Sequence, residues 1–184
     1  MDGFIKGTGF LSPEQVVRQF GLEKGDHVAD FGSGHGYLTI PMARIVGGDG
    51  KIFALDIQKN SLDIIRSKAR LEHLLNIETV RADLEEPRGS HIKAGYINFA
   101  VISNILFQVE NKIALFEEAY RILHRGGKLA VIEWEGSLQS SLGPPLELRI
   151  AKDEASRLAS EAGFKLISEF DGGTHHYGLL FIKK

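Results

Sequence analysis

Residues 28–38 read VADFGSGHGYL: an apolar run closes on Asp30, and glycines follow at positions 32, 34 and 36. Glycines so closely spaced either form a tight turn or bare the backbone so that a ligand can approach where any β-carbon would collide. Two further apolar runs close on acids in the same way, ALDI at Asp56 and VRAD at Asp83. A dinucleotide site wants G-x-G-x-x-G, which brings a helix N-terminus to a pyrophosphate. Counted from Gly32 the sixth position is Tyr37, and counted from Gly34 it is Thr39, so that pattern fails. An acid two residues before the first glycine suits an ammonium group better than a phosphate.

The elements that carry these residues alternate. SPEQVVRQF opens a helix, with Ser12 as cap, Pro13 in the first turn and Gln15 completing a capping box. Strands are expected at 27–31, 51–57, 77–83, 95–103 and 128–134, and helices at 37–46, 61–75 and 111–124, the last ending at Gly126–Gly127. Such alternation implies a parallel sheet covered on both faces. After a polar, proline-broken loop come a helix (AKDEASRLASEAG) and a sixth strand (FKLISEF). Five residues, DGGTH, then lead into HYGLLFIKK. That connection is too short for a crossover helix, so the seventh strand must be antiparallel. In parallel sheets of this kind ligands bind beyond the carboxyl ends of the strands, where all three acids sit.

With the glycine motif, the acids in ALDIQ and VRADL, and RILHRGGKLAVIEW in that order, the chain resembles the class I S-adenosylmethionine-dependent methyltransferases. Among them it is similar to small bacterial relatives of the ubiquinone/menaquinone-biosynthesis C-methyltransferases. The resemblance implies an α/β fold: one domain, a Rossmann-like seven-stranded sheet, mostly parallel with an antiparallel last strand, and helices on both faces. It divides 1–184 into an N-terminal arm and helix (1–25), a cofactor-binding core (26–134) and a substrate-side loop, helix and hairpin (135–184). It also implies S-adenosyl-L-methionine as cofactor, S-adenosyl-L-homocysteine as product, and no metal. Asp30, Gly32, Ser33, Gly34 and Gly36, with Tyr37 following, would line the methionine end. Asp56, beside Ile57, would accept the ribose hydroxyls. Asp83, between Ala82 and Leu84, would accept the adenine amino group, and Ser103 and Asn104 would lie near the transferred methyl. Where the family often has an acid at the entry of the fourth strand this chain has Asn98, away from the cofactor edge.

Candidates for the acceptor side come from the same sheet edge. The turn into the last strand carries His175, His176 and Tyr177, either as ordinary turn residues or facing a substrate. An unperturbed histidine titrates near pH 6.5 and can act as a base. His176, as the expected first residue of the strand with Tyr177 flanking it, is the favoured catalytic candidate. Glu133, Trp134 and Glu135 end the fifth strand at the same edge, Trp134 as a packing residue rather than a stacking surface for substrate. The loop GPPLELR (143–149) would form part of the rim, and Phe4, Phe10 and Leu11 would fold over the cofactor or form a plain surface arm.

Composition bounds the partners. A chain of 184 residues, 43% hydrophobic, suits a single core, and its 22 basic and 24 acidic residues give no global attraction to nucleic acid. A small-molecule acceptor is therefore expected, with RNA or protein methylation and non-catalytic cofactor binding as alternatives. No run approaches a membrane span and no signal peptide is evident, which makes the cytoplasm the default address. An oligomer is compatible with the sequence but not specified by it. Cysteine is absent, which excludes disulfides, thiolate metal sites and the cysteine-dependent arsenic methylation of some relatives.

Overall fold

A computed structural model describes residues 12–136 and 142–184; Phe4, Phe10, Leu11 and positions 137–141, ahead of the rim loop, lie outside the described residues. In chain order the elements are α1 (Pro13–Arg18), β1 (His27–Phe31), α2 (Thr39–Val46), β2 (Lys51–Asp56), α3 (Lys59–Leu71), β3 (Ile77–Arg81), β4 (Ile97–Ser103), α4 (Lys112–Ile122), β5 (Leu123–Trp134), a 3₁₀ turn (Leu146–Leu148), α5 (Lys152–Glu161), β6 (Phe164–Asp171) and β7 (His176–Lys183). The seven strands form one sheet in the order β3-β2-β1-β4-β5-β7-β6. β1 to β5 pair in parallel, and β7 runs antiparallel between β5 and β6.

Alternating residues of the central strands feed two cores. Val28, Ile52, Phe99 and Val101 face α1 and α2, burying Val17, Phe20 and Met42, while Ala54 meets Leu62 and Ile65 of α3. Ala29, Phe31, Leu55 and Ile102 face the opposite way, toward Phe116 and Ala119 of α4 and Ala155 and Leu158 of α5. Ser12 forms the expected capping box, its Oγ accepting from the Gln15 amide at 3.3 Å while its own amide donates to Gln15 Oε1 at 3.2 Å. The buried Asn76 donates from Nδ2 to Ala43 O and Gly47 O, both at 2.8 Å, satisfying carbonyls at the end of α2. Gln19, just past α1, pairs with the backbone of Asp171 in both directions, donating to its carbonyl at 2.9 Å and accepting from its amide at 3.1 Å.

Several boundaries differ from expectation. α2 starts at Thr39, because residues 34–38 stay in turns. α3 stops at Leu71; His73 has φ 54°, and Leu71 and Leu75 of the expected apolar stripe are 81% and 98% exposed. β3 ends at Arg81, so Asp83 sits two residues beyond the strand. The 126–127 glycines do not end a helix. β5 already begins at Leu123, opposite Ile97, and its pairing register slips before Lys128 meets Phe99. Gly126, at φ 84°, lies within that slip.

Asn98 is at the strand entry as expected, accepting from the His27 amide at 2.8 Å. Among the described residues no helix is long and apolar enough to cross a membrane.

Candidate active site

At the carboxyl ends of β1 and β2 the glycine loop and the two acids are tied together. Ser33 N–H donates to Leu55 O and Gly36 N–H to Ser33 O, each at 2.9 Å, which coils the loop tightly. Gly34 N–H donates to Asp56 Oδ2 and Gln58 N–H to Asp56 Oδ1, both at 2.8 Å. One amide on each oxygen fixes the carboxylate plane and leaves further acceptor positions on both. Asp30 is 2% exposed and lies beneath the loop, accepting from the Thr39 hydroxyl at 2.5 Å. Burial pushes its carboxyl up to about 6; the Thr39 hydrogen bond opposes this and nearby Asp56 adds to it.

The three glycines serve different ends. A β-carbon at Gly32 would overlap the Ile105 side chain, and one at Gly36 would lie 3.1 Å from Ile65 Cγ1. At Gly34 it would meet nothing closer than Gly32 O at 4.0 Å. All three have positive φ, 69°, 51° and 81°. Gly34 thus borders open space, whereas Gly36 makes room for α3. Of the two readings, room for a ligand therefore fits Gly34, and close packing of side chains fits Gly32 and Gly36.

That open space is a cavity of about 420 Å³. Its walls are Gly32, Gly34 and His35 of the loop; Asp56, Ile57, Gln58 and Ser61; Ala82 to Glu85; and Ile105, Gln108 and Val109 after β4. Asp83 is exposed, with Oδ1 accepting from the Glu85 amide at 3.1 Å, and the Ala82 amide donates to Asp56 O at 3.1 Å. Of the expected cofactor residues, Gly32, Gly34, Asp56, Ile57, Ala82, Asp83 and Leu84 therefore come together. Asp30, Ser33, Gly36, Tyr37, Ser103 and Asn104 do not line the cavity. Tyr37 is 57% exposed, on the side of the loop toward Glu14. Ser33 Oγ and Asn104 Oδ1 are buried without a hydrogen-bond partner, and each belongs to a residue adjoining a cavity wall.

Gln58, Ser61, Glu85 and the 105–109 wall were missed by sequence reasoning. Gln58 and Ser61 follow Asp56 closely and could have been found by extending the site along the chain. Ile105 is betrayed only by the space at Gly32. A second hollow, about 370 Å³, lies near the starts of β2 and β3 around Lys51, Phe53, Glu78 and Tyr96. It is at the wrong end of the strands for this site, and Lys51 there is ion-paired to Glu78 at 3.1 Å.

The acceptor-side candidates sit at the expected edge, since His176 pairs with Trp134 and Tyr177 with Glu133. They do not reach the cavity. His176 packs against Trp134 with ring centroids 4.3 Å apart, and burial pushes its imidazole down to about 4, with His175 and Arg149 adding to the effect. It is a far weaker base than the expected one. His175 gives its carbonyl to the Glu135 amide at 2.8 Å. Tyr177, 6% exposed, donates its hydroxyl to Ile150 O at 3.1 Å instead of flanking a substrate, and burial pushes its phenol above the ordinary range.

A seven-stranded sheet with β7 antiparallel and a ligand cavity beyond β1 and β2 is the architecture of the class I S-adenosylmethionine-dependent methyltransferases. The chain belongs to the methyltransferase domain family, whose model matches residues 28–127. It is 33% identical over 115 residues to the ubiquinone/menaquinone biosynthesis C-methyltransferase of Vibrio campbellii, covering 62% of this chain and 43% of that protein. The enzyme of the same description from Psychromonas ingrahamii is 33% identical over 123 residues, 66% of this chain and 48% of that one. The chain thus matches less than half the length of these relatives. A solved S-adenosylmethionine-dependent methyltransferase from Aquifex aeolicus superposes with a TM-score of 0.86 over 95% of this chain and 91% of its own, at 23% identity, which establishes the shared fold.

S-adenosylmethionine is the cofactor of this class, and the residues present fit it. Asp56 has acceptor positions to spare, Gly34 borders open space, and the orphaned Ser33 and Asn104 oxygens belong to residues next in sequence to cavity walls.

Proposed function

We propose that this chain transfers a methyl group from S-adenosylmethionine to a small-molecule acceptor, at a carbon of a quinone-type ring. The observation that carries the cofactor half is Asp56, a fixed carboxylate at the end of β2 opening on the cavity. The acceptor half is supported by the C-methyltransferase names of the relatives and by a net charge of −2, which offers nothing to a polyanion.

The cofactor supplies an electrophilic methyl on a sulfonium with a neutral leaving group. The protein's part is then positional, and effective molarities of about 10⁵–10⁸ M are within reach of orientation alone. Asp56 would hold the ribose hydroxyls, Asp83 and Leu84 the adenine, and Ser33 and Asn104 the amino-acid end. The apolar walls, Ile57, Leu84, Ile105 and Val109, would exclude water from the reacting region. A base is needed only where the acceptor arrives protonated.

Calorimetric titration tests the cofactor: S-adenosylhomocysteine should bind and be displaced by S-adenosylmethionine but not by NAD. Product formation is then followed with hydroquinone-type acceptors, an RNA mixture and a protein mixture. Turnover on the nucleic acid or protein alone would sink the small-molecule reading. Binding with no turnover on any acceptor would favour a non-catalytic binding protein.

A further inference from the structure

Glu133 is the penultimate residue of β5, 1% exposed, and the fold has no evident packing need for a carboxylate there. Its strand neighbours on the inward side, Val131 and Leu129, are apolar and fully buried. Burying a carboxylate is costly unless its hydrogen bonds are supplied. Here Oε1 accepts two, from the amides of Ile105 and Leu106, both at 2.8 Å.

Those two amides belong to the chain just after β4. Asn104 has φ 53°, and this left-handed residue turns the chain sharply out of the strand. Ile105 N–H and Leu106 N–H are thereby swung into the interior, toward the end of β5. Ile105 comes to rest on the bare face of Gly32, and Gln108 Nε2 donates to Asn104 O at 3.0 Å, closing the turn. Ile105, Gln108 and Val109 then form one cavity wall. We propose that Glu133 is a positioning residue of the cofactor site, gripping this wall by its first two amides and setting its distance from the glycine loop. The inference rests on the cofactor reading above.

A charged oxygen accepts two N–H groups better than a neutral one, since charge-assisted hydrogen bonds are roughly twice as strong. The grip is therefore strongest when Glu133 is ionised. Burial pushes its carboxyl up to about 7, against the lowering effect of the Leu106, Ile105 and Trp134 amides and of Lys112 at the start of α4. Tyr177 faces it from β7 with its hydroxyl already given to Ile150 O, and Glu135 lies two residues on along the chain. Asp30, pushed to about 6, titrates in the same window, so the pH effect must be read as a difference between wild type and a Glu133 variant.

The experiment is calorimetric titration of the full chain with S-adenosylhomocysteine between pH 6 and 8, for wild type, Glu133→Gln and Glu133→Ala. At pH 8 the expected order is wild type, then Gln weaker by about threefold, then Ala weaker by about tenfold or more. On lowering the pH to 6, wild type should converge on the Gln variant, whose amide oxygen accepts the same two N–H groups without charge. Equal affinity of all three proteins, or a wild-type pH dependence reproduced unchanged in Glu133→Gln, would overturn the proposal. If Glu133→Ala does not fold, the convergence of wild type and Gln decides alone. Wild type that fails to bind at any pH removes the cofactor reading itself, and this inference with it.

Discussion

At the carboxyl ends of β1 and β2 the polar groups hold backbone in place around open space, whereas at the carboxyl end of β5 and the adjoining amino end of β7 they are spent on one another. Asp56 takes the amides of Gly34 and Gln58 and still faces the cavity. Across the sheet, Arg149 donates to the carbonyls of Pro144, Glu135 and Leu142, at 3.0, 3.1 and 2.8 Å, and lies 5.6 Å over the Trp134 ring. His176 covers part of the same indole, and Tyr177 is tied to Ile150. Both regions are rich in residues that can do chemistry. The difference is that one leaves acceptor capacity facing a void and the other uses its capacity to fasten the rim. Residue type alone does not separate a site from a clasp.

Substitutions that separate the two regions should read out in different quantities. The largest effect is expected at Asp56→Ala, which removes the acceptor of the Gly34 and Gln58 amides and the proposed ribose acceptor. S-adenosylhomocysteine affinity should fall by about tenfold or more in a titration, and unchanged affinity would move the cofactor elsewhere. The glycines sharpen the contrast within one loop. Gly36→Ala should lose about 1–2 kcal/mol of stability to denaturant from its positive φ, with added crowding of Ile65. Gly34→Ala, also at positive φ, should lose a similar amount of stability without the crowding, and in addition lose cofactor affinity that Gly36→Ala keeps. The two results should not be interchangeable.

On the clasp side the expected changes are smaller and spare the cofactor. Tyr177→Phe forfeits one buried hydrogen bond, about 0.5–1.5 kcal/mol, with S-adenosylhomocysteine affinity unchanged; a loss of affinity would place Tyr177 in the site after all. His176 has the least effect at neutral pH. Its folded value of about 4 lies below the ordinary 6.5, so the unfolded chain binds the proton more readily. The stability it contributes is complete above about pH 6.5 and is lost as the pH falls toward 4. His176→Gln should flatten that part of the acid limb in urea titrations at pH 7.5 and 5, and an identical pH dependence in wild type and variant would contradict the assigned burial.

Much of the fold was legible because strands and turns announce themselves locally. The five-residue DGGTH connection demanded an antiparallel β7, and the apolar runs ending at Asp30 and Asp56 placed one acid beneath the glycine loop and the other in the cavity wall. What stayed hidden depends on contacts between distant segments. Gly36 looks like its two neighbours in the motif until Ile65 is packed against it. The wall at Ile105 to Val109 has no motif, since it is set by a carboxylate 28 residues further along the chain. The low basicity of His176 comes from its burial against Trp134, which register could suggest but not guarantee. The apolar stripe assigned to α3 ran past its end because Leu71 and Leu75 have helical spacing but no core to meet.

The pairing of Gln19 with Asp171 bears on how the sheet is closed off at its outer strand. β6 is the outermost strand on its side, and an uncovered outer strand offers unpaired amides and carbonyls to any other extended chain. The Gln19 carboxamide supplies one donor and one acceptor to Asp171, as an eighth strand would. A side chain from the opposite end of the sequence thus occupies the backbone of one residue on that edge, while Leu166 and Ile167 further along the same strand are exposed.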